Sequence, residues 1–139
     1  YKTHNIENEK TGSNLPFVFN DVIGLEKGSG KGVHEDDIIK ALKGHVKEGY
    51  KFNMNYPLSE EDNGYKKSPS SSDRAHCLVS PIPADTFTLM DDDVIKKMRA
   101  IRLVASDMGF PQVVILTHVD MACPMGNKNL RNGYKSKYI

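Results

Sequence analysis

Gln112-Val113-Val114-Ile115-Leu116-Thr117-His118-Val119-Asp120 is the stretch on which the fold turns. Its β-branched and aliphatic run reads as a strand buried on both faces, and its end is polar and acidic. The segment before it, Asp91 to Met108, is the clearest helix in the chain. Val94, Met98, Ile101, Ala105 and Met108 recur at spacings of 4, 3, 4 and 3, which lays one apolar stripe along a helix. Asp91 is suited to the N-cap, Gly109 to the C-cap, and Pro111 stops any continuation. Before that helix, Arg74–Pro83 (RAHCLVSPIP) is a second continuous run of small apolar residues, again expected to be covered on both faces. A strand, a helix and a strand in this order predict a parallel crossover.

The same grammar extends towards the start of the chain. A helix is expected from Glu35, with Glu35, Asp36 and Asp37 favoured by the dipole of its first turn. Ile38, Ile39, Leu42 and Val46 would form its apolar face, with Gly49 as C-cap. Leu15–Val22 (LPFVFNDV) reads as a strand, and Tyr1–Ile6 as a short one. Glu7–Asn14 between them reads as a hairpin turn, and Gly24–Gly32 as a mobile glycine-rich loop. Tyr50–Asp73 is a long polar stretch broken by Pro57, Asn63-Gly64 and Ser68–Ser72, an insertion of unusual length for a compact domain. Asn127–Ile139 is expected to be a last helix with Leu130 and Tyr134 facing inward. The whole predicts an α/β fold with a mainly parallel sheet, whose ligands would gather at the carboxyl ends of the strands.

A chain of 139 residues is one domain or most of one. Its net charge of +1 offers no broad basic field for nucleic acid or an anionic membrane. The longest apolar run, Val113–Leu116, is far too short to span a bilayer. Two cysteines, Cys77 and Cys123, do not make a secreted disulfide framework, so a reducing, cytoplasmic setting is expected. The first residue is Tyr1 rather than Met, which suggests a fragment.

Two strand ends carry chemistry. Asp21-x-x-Gly24 follows the Leu15–Val22 strand. A carboxylate there can hold Mg²⁺ through water beside a triphosphate, and a glycine lets backbone N–H approach a γ-phosphate with no Cβ in the way. The plain alternative is a strand ending in a turn. Thr117-His118-Val119-Asp120 ends the other strand. A carboxylate in this place can accept two hydrogen bonds from the N1–H and N2–H₂ edge of guanine, a pair that adenine does not supply. The plain alternative is an Asp capping the next helix. Together, the two motifs favour a nucleotide site.

Other groups read more simply. Lys27–Gly32 (KGSGKG) lacks the spacing of G-x-x-x-x-G-K-[ST] and falls after Asp21-x-x-Gly24 rather than before it. His76-Cys77 has no second thiol nearby to make a zinc site. Asp91-Asp92-Asp93 is a capping cluster rather than a calcium loop. Lys128, Arg131, Lys135 and Lys137 make the tail basic and read as a solvated helix face, with partner or lipid binding as the alternative.

Pro16–Glu26 (PFVFNDVIGLE), Asp36–Asn53, Asp73–Asp85 (DRAHCLVSPIPAD), Pro111–Asp120 and Tyr134–Tyr138 (YKSKY) resemble the interferon-induced protein 44 family, most of all its expanded fish members. The resemblance covers nearly the whole chain. It implies a three-layer P-loop GTPase-like domain that binds guanine nucleotide, in a cytoplasmic protein of the antiviral interferon response. It also implies that Tyr1–Ile6 and Phe17–Asp21 are that domain's second and third strands, and that Gly24–Gly32 is a switch loop. Asp21 and Gly24 would serve Mg²⁺ and the γ-phosphate, and Thr117, His118 and Asp120 the guanine base of GTP or GDP. On this view the strand bearing the phosphate loop lies upstream of Tyr1 and the last strand beyond Ile139, so nucleotide binding or hydrolysis is expected only in the complete protein. His118 stands where the family motif T-K-x-D has Lys, which predicts weaker nucleotide affinity. No water-positioning group is evident beyond His34, next to the switch loop. A non-enzymatic scaffold that binds protein partners is the alternative.

Overall fold

The computed structural model describes residues 1–22, 24–25, 32–123 and 129–135. β1 (Lys2–Glu7) and β2 (Asn14–Asp21) form an antiparallel hairpin with Lys2 opposite Asp21 and His4 opposite Phe19. Its turn closes through Asn8 N–H to Ser13 O and Gly12 N–H to Asn8 O, each 2.8 Å, with Gly12 at φ +66°. β3 (Leu78–Pro83), α2 (Asp92–Asp107) and β4 (Gln112–Thr117) form the expected parallel crossover, paired from Leu78↔Gln112 to Pro83↔Thr117. Asp91 caps α2 by accepting from Asp93 N–H at 3.0 Å, and Gly109 follows at φ +74°. α1 spans Glu35–Leu42 and a short α3 spans Val119–Ala122.

The chain is a small α/β fold, but it differs from the expected single, mainly parallel sheet. Among the described residues there are two separate two-stranded sheets rather than one, and the first is the antiparallel hairpin expected from the turn at Glu7–Asn14. The link between β1 and β2 is too short for the crossover that a parallel pair needs, so those strands turn back on each other.

The core lies between α1, α2 and the long loop. Val33, Ile38, Ala41, Val46, Phe52, Leu58 and Ile101 are buried together, with Tyr1, Val22, Tyr50, Tyr65 and Leu78 packed around them. Tyr50–Asp73 is thus a structural wall that supplies Phe52 and Leu58 to the core. It is pinned by the fully buried Asp37, whose Oδ1 accepts from Leu58 N–H at 2.8 Å, and by Lys66 N–H to His45 O at 2.7 Å.

Three boundaries differ from expectation. α1 stops at Leu42, not near Gly49, because Gly44 turns the chain at φ +86°. A Cβ on Gly44 would come within 2.8 Å of Asp73 O. Val46 therefore leaves the helix and bridges Tyr65. β3 begins at Leu78 rather than Arg74. The segment near the end is a 3-10 turn over Leu130–Lys135, and the side chains of Leu130 and Tyr134 lie outside the described residues.

β4 is not buried as its composition predicts. Val113, Val114, Ile115 and Leu116 are each between 44% and 50% exposed. Nothing among the described residues pairs with its outer edge. Phe17, Val18 and Phe19 of β2 are similarly open. Among the described residues no helix is long and apolar enough to cross a membrane.

Candidate functional site

The parallel register of β3 and β4 brings their carboxyl ends to one edge. Pro83 and Thr117 are the last paired residues, and the chains then diverge into Asp85 on one side and His118 on the other. Ala84 N–H closes the ladder on Thr117 O at 2.9 Å. His118 Nδ1 lies 3.1 Å from Asp85 Oδ1. An ionised carboxylate only accepts, so this pair places the ring proton on Nδ1 and leaves Nε2 turned away from Asp85.

His118 sits at φ 53°, ψ 29°, and among the described residues it is the one non-glycine with positive φ. An L-residue in this region is strained by its Cβ, by about 1–2 kcal/mol. His118 O in return accepts from Met121 N–H at 3.1 Å and Ala122 N–H at 3.0 Å, which starts α3. Its side chain makes no cap bond.

Asp120 falls inside the first turn of α3, not at its N-cap, and its carboxylate has no hydrogen bond or ion pair among the described residues. The capping alternative therefore does not account for it. Thr117 is the last strand residue and half-buried. Thr117, His118 and Asp120 thus stand together at one edge, with Asp85 added by the fold. Asp85 was not singled out from sequence; its signal was an acid just past the apolar end of the neighbouring strand.

Asp21 ends β2 and is exposed. The space where a Cβ of Gly24 would stand is empty to 4 Å. Both belong to the hairpin side of the molecule, and among the described residues no hydrogen bond joins them to the β4 end. Most of the Gly24–Gly32 loop, including Lys27–Gly30, lies outside the described residues, though Leu25 bridges Gly32 across it. His34 is committed elsewhere: its Nε2 donates to Met54 O at 3.1 Å, tying the start of α1 to the long loop. Cys77 is exposed and Cys123 buried, and no cluster of three His, Cys, Asp or Glu side chains able to hold a metal occurs among the described residues.

No family model matches the chain, and no solved structure matches it. Curated proteins do. Human interferon-induced protein 44 is 34% identical over 120 residues, covering 86% of this chain and 27% of that protein. The mouse protein of the same name is 32% identical over 120 residues, covering 86% of this chain and 28% of that protein. This chain is a relative of interferon-induced protein 44. Human interferon-induced protein 44-like is 29% identical over 136 residues, covering 98% of this chain and 30% of that protein. The chain spans less than a third of the length of these relatives.

Proposed function

We propose that the chain is part of a P-loop GTPase-like, guanine-nucleotide-binding domain in an interferon-induced, cytoplasmic protein of antiviral defence, with GTP binding or hydrolysis a property of the complete protein. The observation that carries this reading is the carboxyl edge of β3 and β4, where the unengaged Asp120 carboxylate stands beside Thr117 and the Asp85-held His118. In α/β sheets that edge is where ligands bind. Asp120 accepts the paired N–H donors of guanine, and His118 borders the base. The interferon response is inferred from the relatives, which are interferon-induced protein 44 and interferon-induced protein 44-like.

Asp21 and Gly24 serve the phosphate end. Their fit to Mg²⁺ is that of a single ligand and an open approach: one exposed carboxylate, with free space at Gly24. Asp21 would hold the ion through water, and the remaining ligands would come from the nucleotide and the rest of the protein. The ion neutralises phosphate charge when bound. The phosphate loop belongs, in this reading, to a strand between β2 and β3 supplied by the longer protein. The unjoined sheets and the open apolar strand β2 support that arrangement.

The test is Mg²⁺-dependent binding of a fluorescent GTP analogue to the full-length protein. Binding is expected to fall sharply in Asp120→Ala and to resist competition by ATP. Unchanged affinity in Asp120→Ala overturns the assignment. A second reading, a non-enzymatic scaffold for protein partners, is favoured by one observation: the residue in place of Lys has its ring tied to Asp85. Partner capture that survives both Asp21→Ala and Asp120→Ala would select it.

A further inference from the structure

At the opposite end of the parallel strands, the segments that lead into β3 and β4 enclose a recess of about 510 Å³. Lys43 and His45 reach it from the end of α1, Arg74 and His76 from the approach to β3, and Met108 and Phe110 from the end of α2. The volume is within the range of sites that enclose a small ligand or a few side chains. No acid lines it, although acids and bases are nearly balanced over the whole chain. Asp73, next to Arg74 in the chain, is consumed by Lys66 Nζ at 2.5 Å and by the Ser70 N–H and hydroxyl, each at 2.7 Å. Lys43 and Arg74 have no carboxylate partner among the described residues.

Two helices end at this recess, and a helix C-terminus ordinarily presents bare carbonyls that repel anions. Here most of those carbonyls are occupied. Ile39, Lys40, Ala41 and Leu42 of α1 accept from the N–H groups of Lys43, His45, Gly44 and Ala75. Val104, Ala105 and Ser106 of α2 accept from Met108, Phe110 and Gly109. His45 Nδ1 donates to Lys66 O at 2.8 Å, and its ring stacks on Tyr65, so the imidazole is held in place. The exposed side chains of Lys43 and Arg74 form a cationic rim, with exposed His76 beside them, around half-buried Ala75, Met108 and Phe110. An apolar centre within a charged rim is the layout of a protein-recognition surface.

We infer that this recess binds an acidic peptide segment of a partner protein, one that sets a carboxylate beside an aliphatic or aromatic side chain. The carboxylates pair with Lys43 and Arg74, and the apolar side chain packs on Met108 and Phe110. The site is remote from the His118 edge, so it works whether or not that edge holds a nucleotide.

The experiment uses the full-length protein and a dye-labelled hexapeptide alternating glutamate and leucine, followed by fluorescence anisotropy. Saturable binding is expected, weakened about tenfold by Arg74→Gln and by Lys43→Gln and more by the pair. The matching peptide with glutamine for glutamate should not bind. Unchanged circular dichroism of these exposed-site variants separates lost contacts from lost folding. No saturable binding, or binding indifferent to both substitutions, overturns the inference. Displacement by submillimolar inorganic phosphate also overturns it, in favour of a small-anion site, and displacement by polyuridylate does so in favour of RNA.

Discussion

His118 Nδ1 and Asp85 Oδ1 are 3.1 Å apart, and each residue lies just beyond the last paired position of its own strand. The contact joins two turns that would otherwise diverge, and it does so from a left-handed histidine. Asparagine tolerates that conformation far better than a β-branched residue. His118→Val is therefore expected to be less stable than His118→Asn by about 1 kcal/mol. Urea denaturation of the two variants side by side would measure the difference, and equal midpoints would refute it.

In the proposed guanine site a lysine at this position would lay its stem over the base, whereas the imidazole is tied to Asp85. His118→Lys in the full-length protein is expected to tighten binding of a fluorescent GTP analogue by about fivefold, the scale of one cation–π contact. Titration against the unaltered protein is the measurement. No gain would separate residue 118 from the base.

Gly44 and Gly49 both have positive φ, at +86° and +78°, but only Gly44 faces backbone where a Cβ would stand. Gly49→Ala is expected to cost about 1 kcal/mol, from conformation alone. Gly44→Ala adds a collision with Asp73 O at 2.8 Å and is expected to cost about 3 kcal/mol. Denaturant midpoints at equal slope would rank the two.

The fully buried Asp37 gives one oxygen to Leu58 N–H and leaves Oδ2 without a partner, with Lys40 Nζ 3.7 Å from Oδ1. Asp37→Ala strands a buried N–H and is expected to cost about 2 kcal/mol. Asp37→Asn keeps an acceptor for Leu58 and removes a buried charge, so a much smaller loss is expected. Faster proteolysis within Ser59–Asn63 in Asp37→Ala alone would report release of the loop.

Hydrogen bonds from the Lys66 side chain and from Ser70 hold the Asp73 carboxyl well below the usual carboxylate range. A group with a depressed folded pKa stabilises above its unfolded pKa and loses that contribution as pH falls towards the folded value. The stability gap between the wild type and Asp73→Asn is thus expected to be full at pH 6 and to shrink below about pH 4. Paired denaturation curves across that range would show it, and a gap that widened on acidification would contradict it.

α2 was legible because local signals agreed: Asp91 at one end, Gly109 at the other, and Ile101 and Ala105 buried on the predicted stripe. α1 was overextended because Val46 continues a helical spacing, although Gly44 had already turned the chain. The long loop hid its role because Phe52 and Leu58 follow no period, and a core contribution without periodicity leaves no local pattern. Apolar residues in β4 marked a strand, but composition does not say which neighbours are present to cover it. The strand-end motif at Thr117–Asp120 was visible in the sequence, whereas Asp85 became its neighbour only through the pairing of two strands separated by a helix.

The contrast between the two sheets sets an order of assembly. A hairpin closed by a short turn forms on the microsecond scale from contacts close in sequence. β3 and β4 meet only after α2 has folded back, so their pairing closes a long loop before any ladder bond compensates for the lost chain entropy. On a ribosome the hairpin emerges before Val113–Leu116, and the later segment keeps its apolar side chains open even after its ladder has formed. A late-forming contact and an open apolar surface coincide in β4, which makes that strand a point where biogenesis of this domain is open to competition from wrong partners.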